Sequence, residues 1–246
     1  MWVRFIFVHG GFHGAWCWEK LIPEFTWRGH DALAIDCPGH GQRADEDATL
    51  AGYRDAVVDV IRPGDIIVAH SMGGLTATVA ADAAIDKVGH IVYLASSLPV
   101  EGQPAFPVGG GNPSQRPPPP ELIDGGRKMQ LMPRDEAAAA FYHDCSPEII
   151  DWAFRHLTPQ PVAPLIEPVS VPRFWASAPP RSLILCSNDR VSAASEGRQM
   201  RMSERLGVEP LLLDTSHSPF LSQPAACAEA ILESLKRPGT GPVSPG

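Results

Sequence analysis

The 246-residue sequence has no run of about 18 consecutive apolar residues, the length a helix needs to cross a bilayer. Its first apolar run, residues 2–8, is interrupted by Arg4 and is too short for a signal peptide. The five cysteines, Cys17, Cys37, Cys145, Cys186 and Cys227, are odd in number and include no C-x-x-C pair. Neither a disulfide framework nor a zinc or other metal site is expected, and a cytoplasmic, reduced protein is the default. Basic residues are scarce, 20 Lys+Arg against 28 Asp+Glu, for a net charge of −8. That balance argues against nucleic acid or an anionic membrane surface as a partner. No internal repeat is visible.

An apolar content of 44% with 20% charged residues suits a globular chain with a sizeable core. Proline is abundant, 26 residues, and 17 of them fall between Pro99 and Pro180. Strand-like runs occur at 2–8, 32–35, 66–69, 90–95, 182–186 and 210–213, several of them apolar throughout, as strands buried on both faces are. Helix-like stretches at 16–28, 50–62, 73–85, 193–206 and 224–236 alternate with them. The alternation predicts an α/β fold with a mainly parallel six-stranded sheet, helices on both faces and ligands at the strands' carboxyl ends.

The rhythm breaks once, at the proline-rich segment. Within it, 134–143 and 146–157 read as helices, the second with Ser146 as N-cap, and 109–120 as a mobile or polyproline-type loop. The expected organisation is a core of 1–97 and 181–236, an inserted proline-stiffened cap of 98–180, and a disordered Pro/Gly/Ser tail of 237–246.

The third strand runs through Ala69-His70-Ser71-Met72-Gly73-Gly74 into a helix. A nucleophilic serine needs a sharp strand-to-helix turn to lift its Oγ clear of the backbone, with small residues two before and two after it; Ala69 and Gly73 supply them. His70 points to the opposite strand face and reads as structural. A serine of this kind needs a histidine base oriented by a carboxylate, following it in the order Ser, Asp, His. The loops after the fifth and sixth strands offer Asp189, in Cys186-Ser187-Asn188-Asp189-Arg190, and His217, in Asp214-Thr215-Ser216-His217-Ser218. Asp36 precedes the serine and lies in a Pro-Gly turn, and Asp214 is too close to its own strand to reach across. Asp36 is read as structural, and neither is expected to be the triad's acid.

Acyl transfer also needs two backbone N–H groups aimed at the developing oxyanion. Met72, after the serine, supplies one, and the turn His9-Gly10-Gly11-Phe12-His13-Gly14 supplies the other from Gly11, with Phe12 next in line. His13 is expected to order this loop. The turn lacks the spacings of nucleotide-binding glycine loops.

Together these residues resemble the α/β-hydrolase superfamily, and more narrowly the plant salicylate-methylesterase and hydroxynitrile-lyase group with its bacterial esterase relatives. The resemblance is carried by H-G-G-F-H-G-A-W at His9, D-C-P-G-H-G at Asp36, A-H-S-M-G-G at Ala69, V-Y-L-A-S-S-L-P at Val92, F-Y-H-D-C-S-P-E at Phe141, C-S-N-D-R at Cys186 and D-T-S-H-S-P-F at Asp214. It implies a cap after the fourth strand, Ser71, Asp189 and His217 as a triad, Gly11 and Met72 as the oxyanion hole, and no cofactor. It leaves a homodimer open.

The group's lyases carry threonine and lysine where this chain has Gly10 and Ser218, which favours hydrolysis. The expected function is a serine esterase acting on a small or medium ester. Non-hydrolytic chemistry at the same site, such as hydroxynitrile cleavage, and a non-catalytic ligand receptor are the alternatives.

Overall fold

The fold was determined as a computed structural model, which describes residues 2–105, 121–193, 196–239 and 241–246. Among the described residues nine strands follow one another along the chain: β1 Arg4–Val8, β2 Asp31–Ile35, β3 Asp65–His70, β4 Val88–Leu94, β5 Leu122–Ile123, β6 Lys128–Met129, β7 Gln160–Pro161, β8 Arg181–Cys186 and β9 Leu211–Leu213. Six of them form one sheet in the order β2-β1-β3-β4-β8-β9, every pairing parallel. The expected runs thus become strands within one or two residues at each end.

Side-chain alternation along these strands builds a core on each face. Phe5, Phe7, Val68, Val92 and Ile184 pack with Trp18, Phe25, Phe220 and Ile231 on one side. Ile6, Val8, Ile67, Ile91 and Leu183 pack with Val57, Leu75 and Ala80 on the other. The strand order reverses between β1 and β3. At such a switch point the loops leave in opposite directions and open a crevice beyond the strand ends. The turns after β1 and β3 flank it.

The first helices are α1 Ile22–Thr26, α2 Leu50–Val58 and α3 Gly73–Ala83. The helix expected over 16–28 is broken into a 3-10 turn, Ala15–Trp18, and α1. Pro23 has no N–H to continue a helix begun upstream, and it sits instead in the first turn of α1, where that N–H is not needed.

Between β4 and β8, β5-β6-β7 form a small antiparallel sheet beside α4 Arg134–Phe141, α5 Pro147–His156, α6 Ala163–Ile166 and α7 Pro172–Ser177. Ser146 caps α5, its hydroxyl accepting from Ile149 N–H. Phe141, Tyr142 and Leu157 join the first core, and Met129, Leu165 and Phe174 join the second. The loop expected at 109–120 lies outside the described residues. After β8 come α8 Arg190–Ala193, α9 Glu196–Leu206, α10 Pro219–Ser222 and α11 Pro224–Ser234. Among the described residues no helix is long and apolar enough to cross a membrane.

The described residues of the tail, expected as disordered from residue 237, lie against the start of β8. The Arg181 side chain is fully buried, and among the described residues no carboxylate pairs with it, so its donors turn to backbone carbonyls. Leu206 O accepts at 2.6 Å and Gly241 O at 2.7 Å, while Gly239 pairs with the Arg181 backbone. A buried guanidinium stripped of acceptors is costly, which fixes the tail in place. Deleting residues 238–246 is therefore expected to lower stability by about 1–3 kcal/mol, read as a shift in the urea midpoint. A midpoint that does not move would mean that the tail contributes nothing.

Candidate active site

β3 ends in a left-handed residue. Ser71 has φ +52°, a conformation costing on the order of 1–3 kcal/mol for a residue with a Cβ, so its surroundings must hold it there. Ser71 N–H donates to Leu94 O, and its carbonyl accepts from Gly74 N–H, Ser97 N–H, Ser96 Oγ and Ser97 Oγ. Gly73 allows the turn to close on β1: a Cβ there would lie 2.6 Å from His9 O and 2.7 Å from Val8 O. The serine of A-H-S-M-G-G is thus presented where β1 and β3 diverge, half-buried at the start of α3.

His217 and Asp189 pair beside the Ser71 turn, next to His70. His217 Nδ1–H donates to Asp189 Oδ2 at 2.8 Å, and Asp189 Oδ1 accepts from Val191 N–H at 2.8 Å; both side chains are buried. With Nδ1 protonated, His217 Nε2 carries the free lone pair that a base requires. His70 packs on the His217 ring with centroids 4.6 Å apart, and its Nε2–H donates to His217 O at 2.8 Å. Burial holds the His70 pKa well below its ordinary value, so it is a neutral brace. The structure closes the Asp189–His217 hydrogen bond and, among the described residues, forms none to the Ser71 hydroxyl.

The turn after β1 is oriented by two more histidines. His9 Nδ1–H donates to Gly10 O at 2.8 Å, and its Nε2 accepts from Cys37 N–H. Because a trans peptide is planar, pulling Gly10 O toward His9 turns Gly11 N–H the other way. His13 Nδ1–H holds Gly11 O at 2.7 Å, while its Nε2 accepts from Tyr142 O–H at 2.6 Å. Neither Gly11 N–H nor Met72 N–H has an acceptor among the described residues. The two turns touch: a Cβ on Gly11 would lie 3.7 Å from Met72 Sδ.

Asp36 is structural, as its turn implied. It accepts from Ala15 N–H and Gln42 N–H and crowds Gly41, which has φ +51° and no room for a Cβ. Asp214 likewise accepts from Asn188 Nδ2 and Ser187 Oγ and stays within its own loop pair.

Several residues that shape the site were not singled out from sequence. His143 Nε2–H donates to Asn188 O, next to Asp189, and Asp144 Oδ2 accepts from Ser216 N–H, next to His217. With the Tyr142–His13 bond, this stretch of F-Y-H-D-C-S-P-E grips all three loops. The motif itself was legible, but its partners lie up to 129 residues away. Among the described residues no cluster of three or more His, Cys, Asp or Glu side chains could hold a metal ion.

A parallel sheet that carries a left-handed serine at its switch point, with a buried Asp–His pair packed on the neighbouring His70, is the arrangement against which the chain's relatives are read. The chain belongs to the alpha/beta hydrolase family, whose model matches residues 5–230. It is similar to the rice protein named probable esterase PIR7A (Oryza sativa subsp. indica), 38% identical over 108 residues, or 41% of each chain. That match spans about two fifths of the rice protein's length. It is also similar to norfluorocurarine synthase 1 of Strychnos nux-vomica, 28% identical over 94% of each chain. Among solved structures, an extracellular alpha/beta-hydrolase from a Paenibacillus species superposes with a TM-score of 0.80 at 22% identity, covering 94% of this chain and 98% of that one.

The neutral histidines set a pH dependence. Desolvation pushes the His13 pKa down to about 3, against about 6.5 in an unfolded chain. Between those values the unfolded state binds a proton that the folded state does not, so stability falls as pH drops from about 6.5 toward 3. Each such histidine contributes up to about 1.4 kcal/mol per pH unit. Denaturant unfolding across this window is expected to lose about one proton of slope in His13→Gln; an unchanged slope would mean that His13 titrates normally in the fold.

Proposed function

We propose that this protein is a cofactor-independent serine esterase that hydrolyses a small or medium, partly apolar carboxylic ester. The observation that carries the reading is the buried Asp189–His217 hydrogen bond standing beside the Ser71 turn. The similarity to a protein named an esterase supports it.

In this reading His217 Nε2 takes the Ser71 proton as Oγ attacks the ester carbonyl. Asp189 stabilises the resulting imidazolium, and the Gly11 and Met72 N–H groups receive the oxyanion. His217 then protonates the leaving alcohol. Water, deprotonated by the same histidine, releases the acid and restores Ser71. Phe141 lies 5.9 Å from the His217 ring and 6.5 Å from Phe12, centroid to centroid; these rings would form an apolar wall for the substrate. Residues 98–180 act as the cap, with 1–97 and 181–236 as the core that carries the triad.

Two positions favour hydrolysis over hydroxynitrile cleavage. A Cβ at Gly10 would stand 2.9 Å from Ser71 Cβ and 3.0 Å from His70 Nδ1, leaving no space for the lyases' threonine. Ser218, where they carry lysine, is fully buried and offers no cation to a leaving cyanide.

Ser71→Ala is expected to lower turnover of aryl and methyl esters by several orders of magnitude and to abolish labelling by a fluorophosphonate. Near-normal ester hydrolysis by that variant would refute the mechanism, and cyanide release from mandelonitrile without ester turnover would favour the lyase reading.

A further inference from the structure

The backbone of Phe12 is held from outside its own loop. Phe12 has φ +64°, the left-handed region that a bulky side chain rarely adopts. Its N–H donates to Gln160 Oε1 at 3.1 Å, and its carbonyl accepts from Thr158 N–H at 2.9 Å. Both partners belong to the stretch around β7, and the Gln160 contact spans 148 positions of sequence.

Gln160 is fully committed. Its side chain is buried, and Nε2 donates to Tyr53 Oη at 3.2 Å and Pro161 O at 2.9 Å. With both acceptors on the nitrogen side, the amide has only one orientation that satisfies it, oxygen toward Phe12. Tyr53 Oη also bonds His40 Nε2, and His40 Nδ1 bonds Thr158 Oγ1. The two residues that hold Phe12 are thereby tied to each other through a buried polar ring. Gln160 also lies against the expected oxyanion donor: a Cβ on Gly11 would sit 3.3 Å from Gln160 Oε1.

We infer that Gln160 is a positioning residue for the oxyanion hole, acting through Phe12 to fix the Gly11 N–H. This rests on the esterase reading above. The Gly11–Phe12 peptide is clamped at both ends, its carbonyl by His13 and its N–H by Gln160. Releasing the Gln160 end lets the left-handed Phe12 relax toward ordinary φ and swings the neighbouring Gly11 peptide. The inserted segment thus supplies an internal support for the chemistry, in addition to any role in covering it.

The test is Gln160→Met, which keeps length and bulk and removes both the acceptor and the donors. Tyr53→Phe is the control, since it removes an acceptor of Gln160 Nε2 and leaves the Phe12 contact intact. A displaced oxyanion donor costs on the order of 10²-fold in rate. Gln160→Met is expected to lose kcat by about that factor with KM little changed. Its affinity for a trifluoromethyl ketone, which forms a tetrahedral adduct on Ser71, is expected to fall in parallel. Tyr53→Phe, compared at matched melting temperature, is expected to keep kcat within a few-fold. A Gln160→Met enzyme with unchanged kcat, a loss confined to KM, or an equal loss in Tyr53→Phe would overturn the proposal. Fluorophosphonate labelling of Ser71 separates the two failures. If the wild type is labelled and Gln160→Met is unimpaired, only the positioning role falls; if Ser71→Ala still turns over ester, the underlying reading falls with it.

Discussion

The structure depends on the contact between the turns that follow β1 and β3. Gly73 lies against the carbonyls of Val8 and His9 so closely that no side chain fits, and this contact brings the Ser71 turn to the switch point between β1 and β3. Ser71 cannot relax from its left-handed conformation because four donors hold its carbonyl. Strain at this position is therefore balanced by hydrogen bonds from β4 and the residues after it, and the serine's exposure is a property of four neighbouring segments.

Around this contact the chain uses neutral imidazoles as backbone clamps. His9, His13 and His70 each donate one ring N–H to a main-chain carbonyl, and desolvation keeps all three from protonating at ordinary pH. A lysine or arginine could make the same bonds only by burying a full charge. A neutral imidazole offers a donor and an acceptor on a rigid ring, so it fixes a peptide's direction without placing a positive charge beside His217. Of these four rings, His217 is the one paired with a carboxylate, Asp189.

Much of this was legible in the sequence because it is local. Each strand is a short apolar run, Ser71 sits between small residues, and Asp189 and His217 follow their own strands within a few positions. What escaped is long-range. Gln160 looks like an ordinary polar residue in T-P-Q-P, and nothing near it signals that its amide oxygen meets Phe12. Asp144 stands in a recognisable motif, yet its acceptor role appears only when the loop of Ser216 is folded against it. The broken helix at 16–28 and the tail's contacts with Arg181 share a cause. Local composition favoured one outcome, while Pro23 and the buried charge of Arg181 imposed another.

The tail also bears on how the inserted segment can move. Arg205 donates to Pro99 O and Pro245 O, and Glu101 N–H donates to Pro245 O, while Gly239 and Gly241 hold Arg181 on the returning strand. The last residues of the chain thus brace both sides of the neck through which residues 98–180 leave and rejoin the sheet. A segment hinged at its two ends would swing as one body. Here those ends are fastened, so a swing of that kind would first have to break the Arg205, Glu101 and Arg181 hydrogen bonds to the chain's last residues.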